Sequence, residues 1–280
     1  VMAKIKPPLK WHGGKHYLAK WSVSHFPKHL HYVEPYFGGG SVLFEKTYTG
    51  VSEVVNDING ALINFWKVLR DPKCFEAMKQ NLIMTPFASP MFVESLRKVA
   101  DFIGGDKLSI SAAVDFFIAA RQSRQGLMKD FATLSRNRVR RGMNEQVSSW
   151  LTAIDGLPEV HQRLRRVVIL NSPALEVIKQ QDGPNTLFYL DPPYLHSTRV
   201  TTSDYTHEMS IKDHQALLYA LAHIEGKFVL SGYPSTLYDS FAKSVPWFVD
   251  TKEIDNKASS ASEKELKTEC LWMNFDWTKR

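Results

Sequence analysis

Cysteine is nearly missing from this 280-residue chain: Cys74 and Cys270 stand far apart, with no C-x-x-C spacing. That argues against a disulfide framework or a cysteine-ligated zinc site and fits a reducing compartment. Long apolar runs are also missing. Nothing approaches the ~18 residues needed to cross a bilayer, and the opening VMAKIKPPLKWHGGK lacks the apolar core of a secretory leader, so a cytoplasmic protein without a membrane partner is expected. Histidine is plentiful, and His25, His29 and His31 fall close together, yet no Asp, Glu or Cys joins them at ligand spacing and Pro27 interrupts any helix that would align them. No metal is expected. Acidic residues are scarce in one place: RQSRQGLMKDFATLSRNRVRR, residues 121–141, holds seven Arg or Lys against the single Asp130. With a formal net charge of +6 for the whole chain, that segment carries the entire excess, which points to a polyanionic partner there. A charge run taken alone is more often a solvated helix face.

What is present is ordinary for a globular protein: 44% hydrophobic and 23% charged residues, enough for one large domain or a core domain with a smaller insertion. His31-Tyr32-Val33-Glu34 predicts a strand and Ser41 to Lys46 begins a helix. Ser52 to Val55 predicts a second strand, and Ile58 to Trp66 opens a second helix. This is β-α-β-α order, the pattern of a sheet wrapped by helices. From about 71 to 160 the periodicity is helical without strand signals, and Ala112 to Ala120 reads as a buried helix. Strand patterns resume at Arg166–Leu170 and recur at Leu187–Leu190, Lys227–Ser231 and Glu269–Phe275. Ser210-Ile211-Lys212-Asp213 starts a helix by a capping box, and Gly226 is expected to stop it. Residues 257–265, KASSASEKE, read as a mobile loop. The organisation predicted is an α/β domain interrupted by a helical, basic insertion.

NTLFYLDPPYLHS, residues 185–197, places Asp191 after a buried-strand pattern and before two prolines, which end the strand by removing backbone donors. In open α/β sheets that strand end is where ligands bind, although Asp-Pro also favours a plain turn. EPYFGGGS, residues 34–41, puts three glycines between a strand and a helix, so a ligand can approach the backbone. The spacing differs from G-x-G-x-x-G, which argues against a nicotinamide oxidoreductase. Asp57 ends the next strand, the position where a carboxylate takes ribose hydroxyls in nucleoside-binding folds. Near the start, Trp11-His12-Gly13-Gly14-Lys15 makes another glycine turn beside a lysine; read alone, Lys15 is solvated surface.

LKWHGGK (9–15), EPYFGGGS (34–41), NDIN (56–59), LDPPY (190–194) and KFVLSGY (227–233), in that order, resemble the Dam-like (D12 class) DNA adenine N6-methyltransferases. The resemblance covers about two-thirds of the chain. It implies a Rossmann-like class I methyltransferase sheet from 1–70 and 161–280, with an inserted, mainly helical target-recognition domain at 71–160. It also implies S-adenosyl-L-methionine as methyl donor, double-stranded DNA as substrate, and a bacterial or phage-encoded monomer for which an associated restriction enzyme is a partner to look for. Trp11 and Lys15 would hold the methionine end, and Glu34, Pro35, Phe37, Gly38, Gly39, Gly40, Ser41, Asp57, Ile58, Ser172 and Asp191 would complete the cofactor site. Asp191, Pro192, Pro193 and Tyr194 would be the catalytic tetrapeptide. Arg121, Arg124, Lys129, Arg136, Asn137, Arg138, Arg140 and Arg141 would meet DNA, with Gln122, Gln125, Asn137 or Asn144 reading base edges. There is one departure. Where members carry an acid that contacts the cofactor's adenine, Asn171-Ser172-Pro173-Ala174 has none, and backbone or apolar contacts are expected instead.

The chemistry explains the tetrapeptide. Adenine's N6 lone pair is delocalised into the ring, so the amine needs two hydrogen-bond acceptors to draw it toward tetrahedral geometry. The carboxylate of Asp191 and the carbonyl of Pro192 would supply them, the prolines fixing the carbonyl beforehand. Tyr194 offers a face for a base turned out of the duplex. Two alternatives remain: methyl transfer to RNA or protein, which related tetrapeptides beginning with Asn perform, and a catalytically silent DNA-binding relative. Asp191 disfavours the first, and intact Lys15, Asp57 and Asp191 disfavour the second.

Overall fold

Thr186–Leu190 is buried at all five positions, as expected of a strand paired on both edges and covered on both faces. The computed structural model describes residues 5–105, 107–195, 208–255 and 266–279; the loop expected at 257–265 lies outside the described residues. In chain order the first elements are α1 (Ala19–Ser24), β1 (His31–Glu34), α2 (Ser41–Glu45), β2 (Ser52–Asn56), α3 (Gly60–Arg70), α4 (Pro72–Ile83), α5 (Ser89–Ala100) and α6 (Ile110–Gln122). The short strands β3 (Val139–Arg140) and β4 (Met143–Asn144) follow, then α7 (Glu145–Asp155), α8 (Leu157–Leu164) and β5 (Val167–Leu170). The rest are α9 (Ala174–Gln181), β6 (Thr186–Leu190), α10 (Ile211–Leu221), β7 (Lys227–Gly232), α11 (Thr236–Ser244), β8 (Phe248–Asp255) and β9 (Leu266–Met273).

The chain divides into two compact units. One comprises Trp21–Tyr36, Tyr48–Asn56 and Ser172–Arg280. Its sheet has the order β2-β1-β6-β7-β9-β8, parallel from β2 to β7 and antiparallel at β9 and β8. The central strands read as apolar runs because both faces are covered: Tyr32, Val33, Leu187, Phe188, Leu190, Phe228, Val229 and Leu230 have no exposed surface. β8 escaped the sequence reading because FVDTKEID mixes charge into an edge strand. The expected start of α10 is present, with Ser210 and Asp213 capping each other reciprocally. Its expected stop is not. The helix ends at Leu221, and Gly226 serves another purpose: its N–H donates to Asp182 Oδ1 at 2.9 Å, and a Cβ there would lie 3.0 Å from the Thr186 carbonyl oxygen.

The other unit comprises Val1–Lys20, Phe37–Thr47 and Asp57–Asn171. Its helices are started by side chains: Asn59 caps α3, Asp71 with Pro72 starts α4, Ser109 caps α6 and Asn144 caps α7. The centre of α6 is buried as predicted, and Phe116 and Phe117 stack on Phe65 of α3 with centroids 5.8 and 6.0 Å apart. The expectation of no strand between 71 and 160 is corrected by the hairpin β3–β4. Two-residue strands leave no periodicity to detect. Its turn is Arg141-Gly142, both at positive φ (55° and 73°), the backbone that two-residue hairpins require.

Candidate active site

Strands β2, β1, β6 and β7 run parallel and finish at one sheet edge with Asn56, Glu34, Leu190 and Gly232. The chain goes from β1 to β2 on one side and adds β6 on the other, so strand order reverses between β1 and β6. That reversal opens the crevice where α/β sheets take ligands, and Glu34 and Asp191 emerge at it. Glu34 is buried and accepts the Tyr32 hydroxyl at 2.9 Å; burial, and then this carboxylate, hold the Tyr32 pKa well above its usual value, so the phenol keeps its proton. Asn56 has no exposed surface. Its Nδ2 donates to the carbonyls of Pro35 and Ser172, each at 3.0 Å, and its Oδ1 accepts the Ser172 N–H at 2.9 Å.

Asp191 is part-exposed, while Pro192 and Tyr194 are buried. The Tyr194 hydroxyl donates to Glu269 Oε2 at 3.0 Å and lies 3.4 Å from Ser231 Oγ, and its ring meets Tyr233 edge-on at 4.6 Å. Burial raises the Tyr194 pKa, helped by the charges of Asp191 and Glu269, so it remains a donor. Sequence reasoning missed Glu269, a fully buried acid in β9; its only signal was an acid directly before the apolar run Cys270–Met273. Beside it, burial pushes the Cys270 thiol up to about 12, which leaves it unreactive.

The glycine loop lies in the helical unit with Trp11, Lys15, Ser41, Asp57 and Ile58. Gly38 and Gly40 have φ of 49° and 73°, conformations that disfavour side chains. Space also requires glycine: a Cβ on Gly38 would sit 2.7 Å from Trp11 Nε1, one on Gly39 2.7 Å from Trp11 Cβ, and one on Gly40 2.8 Å from the Phe37 ring. The Trp11 side chain thus lies directly on the glycine backbone. Asp57 fastens the loop from the other direction, Oδ2 accepting the Gly38 N–H at 2.9 Å and Oδ1 the Asn59 N–H at 3.0 Å, and Trp66 Nε1 donates to the Gly38 carbonyl at 3.1 Å. Lys15 is buried, at 6% exposure, against its reading as solvated surface. Ile58 is half exposed, and Asn171 Nδ2 donates to the carbonyls of Asp57 and Ile58 at 2.7 and 3.2 Å.

The basic segment belongs to the same unit. Arg124, Lys129, Arg136, Asn137, Arg138, Arg140 and Arg141 are exposed. Arg121 is turned inward: its Nη2 donates to the carbonyl and the hydroxyl of Ser149, both at 3.0 Å, and burial lowers its pKa to about 10. Gln122 cannot reach a base, since it is fully buried, accepts the Ala88 N–H and donates to the Pro86 carbonyl. Asn144 is occupied as the cap of α7 and as a donor to the Ser135 carbonyl. Of the four side chains named for base reading, Gln125 and Asn137 are exposed. Among the described residues no group of three or more His, Cys, Asp or Glu could hold a metal ion, and no helix is long and apolar enough to cross a membrane.

Residues 11–269, from Trp11 of the N-terminal glycine turn to the buried Glu269, match the profile of the D12 class N6 adenine-specific DNA methyltransferases. The chain belongs to this family. As a D12 methyltransferase it transfers a methyl group to N6 of adenine in DNA. It is similar over almost its whole length to the type II methyltransferase M1.LlaDCHI of Lactococcus lactis subsp. cremoris, 27% identical over 284 residues, covering 97% of this chain and 96% of that one. Shorter matches at 36% identity join it to the type II methyltransferase M.MjaIII of Methanocaldococcus jannaschii, over 76 residues (24% of this chain, 26% of that one). The DNA adenine methylase of Vibrio cholerae serotype O1 matches at the same identity over 75 residues (26% of each chain). The family match ends at the strand that holds Tyr194.

Proposed function

We propose that the methyl donor of this D12 methyltransferase is S-adenosyl-L-methionine, held by Trp11, Lys15, Glu34, Pro35, Phe37, Gly38, Gly39, Gly40, Ser41, Asp57, Ile58 and Ser172. When bound, its sulfonium supplies an electrophilic methyl group. The residues fit such a group. Trp11 packs on Gly38 and Gly39 as an aromatic wall of the loop, and the Asp57 carboxylate, fixed by the Gly38 and Asn59 N–H groups, stands just past β2, where nucleoside-binding folds take ribose hydroxyls. The half-exposed Ile58 offers the adenine an apolar contact in place of the acid absent at Pro173.

At the acceptor, Asp191 takes one N6–H of adenine and the Pro192 carbonyl takes the other, aiming the nitrogen lone pair at the methyl group. Asp191 orients and stabilises developing positive charge; a raised pKa is not required for that role. Tyr194, held at its hydroxyl by Glu269 and Ser231, offers its ring face to the flipped base. Residues 1–70 and 161–280 carry catalysis in this reading and 71–160 target recognition, with Arg124, Lys129, Arg136, Arg138, Arg140 and Arg141 on phosphates and Asn137 beside a base edge. The observation that carries the proposal is the delivery of Glu34 and Asp191 to the strand-order reversal at one sheet edge. Incubation with S-adenosyl-L-methionine labelled in the methyl group and unmethylated plasmid, followed by base analysis, is the test. N6-methyladenine made by the wild type and abolished in Asp191→Ala, with duplex binding retained, is expected; label in the plasmid at wild-type rate with Asp191→Ala would overturn the mechanism.

A further inference from the structure

Residues 124–130 form a closed loop. Arg124 N–H donates to the Asp130 carbonyl and Ala132 N–H to the Gln122 carbonyl, each at 2.8 Å, and Ser123 bridges Phe131 across the base. At the tip, three of four consecutive residues have positive φ: Gln125 (56°), Gly126 (74°) and Met128 (52°). Two of these are not glycine, and such strain is retained where surrounding contacts impose it. The contact here is backbone on backbone. A Cβ on Gly126 would lie 2.5 Å from the Lys10 carbonyl oxygen, 2.7 Å from its carbon and 3.0 Å from the Trp11 nitrogen. Lys10 is also tied to α7, its Nζ donating to Gln146 Oε1 at 3.2 Å.

Trp11 in turn lies on Gly38 and Gly39, and Gly38 is held by Asp57 and Trp66. The basic loop, the Lys10-Trp11 backbone and the glycine loop therefore form one stack without a flexible side-chain end at the first joint. We propose that this stack couples DNA to the methyl donor, with Gly126 the positioning residue that transmits it: loading one ligand changes the affinity for the other. The inference rests on the proposed function, in which the glycine loop meets the cofactor and the basic segment meets DNA. Linkage makes the effect reciprocal, so a single factor governs both directions.

Gly142 supplies an internal control. It has the same conformation, φ 73°, in the same basic stretch, but a Cβ there would meet nothing within 4 Å. Backbone strain is thus matched between Gly126→Ala and Gly142→Ala, and the blocked seat is not. The experiment measures S-adenosylhomocysteine affinity by calorimetry on the full chain, with and without saturating sheared unmethylated plasmid DNA. In the wild type the affinity is expected to change by about fivefold or more, within the usual range of coupling between sites. Gly142→Ala keeps that factor, and Gly126→Ala brings it to one. A wild-type factor of one, or an unchanged factor in Gly126→Ala, would overturn the coupling while leaving methyl transfer in place. Failure of the wild type to bind S-adenosylhomocysteine or the duplex would instead overturn the underlying reading and the coupling with it. Should Gly126→Ala fold poorly, wild-type hydrogen exchange decides: DNA must slow the amides of residues 11–14 and 37–41, and unchanged rates there refute the stack.

Discussion

Asp57→Asn tests the division of labour at the glycine loop. The native carboxylate accepts Gly38 N–H on one oxygen and Asn59 N–H on the other, at 2.9 and 3.0 Å. The Asn side chain keeps one acceptor and turns the other position into an N–H facing an N–H. One charge-assisted hydrogen bond disappears, a change of ~1.5–3 kcal/mol where the group is buried. Asp57 is only part-buried, so the lower half of that range applies. At ~1.4 kcal/mol per tenfold, the loss corresponds to roughly ten- to fortyfold if the loop must be in place for the cofactor to bind. Calorimetry with S-adenosylhomocysteine reads it directly, and steady-state kinetics should show KM for the methyl donor rising by about the same factor with kcat less affected. The salt dependence of DNA binding should stay as in the wild type. Cofactor affinity within twofold of wild type would refute the argument, because neither the loop anchor nor a ribose contact on this carboxylate could then matter.

Tyr194→Phe keeps the ring and removes the donor from the buried Glu269, so destabilisation of ~1–3 kcal/mol is expected, read as a fall in Tm. Combining it with Glu269→Gln should recover part of the loss, and strict additivity would mean that the hydrogen bond carries no coupling. Replacing Arg138, Arg140 and Arg141 together by Gln should reduce the slope of log K against log salt by ~0.9 for each phosphate that the variant no longer neutralises; an unchanged slope would put the DNA face elsewhere. Lys10 titrates at about 8, lowered first by burial and then by Arg121. A lowered amine pKa costs stability while the group is charged in both states, and that cost is relieved as pH rises from about 8 toward the ordinary 10.5. Lys10→Met should therefore raise Tm at pH 7 by a margin that shrinks across this interval, and a margin independent of pH would contradict the burial argument.

Which features could be read from sequence follows from the range of the interactions that make them. β6 and its stop needed only the run Leu187–Leu190 and two prolines, and α6 needed only its apolar stretch, because burial acts on consecutive residues. Asn56 was invisible as a clasp since its partners, Pro35 and Ser172, are 21 and 116 positions away. Gln122 looked available because it sits among arginines, yet the helix phase turns it inward to Pro86 and Ala88. The same phase turns Arg121 to Ser149. Read without the family resemblance, Lys15 falls on the surface, because lysine usually does and nothing local to a glycine turn signals burial. Gly226 shows the opposite error: a glycine after a helix suggests a cap, whereas here it admits the close approach of Asp182, Gly183 and Thr186.

The excursion Asp57–Asn171 begins and ends at paired clasps: Asn56 with Ser172 on one flank, Asp57 and Ile58 with Asn171 on the other. Neighbouring ends make this stretch a natural cassette for exchange between D12 methyltransferases, since the flanking chain would see the same junction whatever was inserted. A transplant would nevertheless carry Asp57 and Gly126 away from the donor's own Gly38 and Lys10. Successful chimeras should therefore be those whose recipient already presents a glycine turn and N-terminal strap matching both seams, and shuffling that ignores them should yield folded proteins that grip DNA yet methylate poorly.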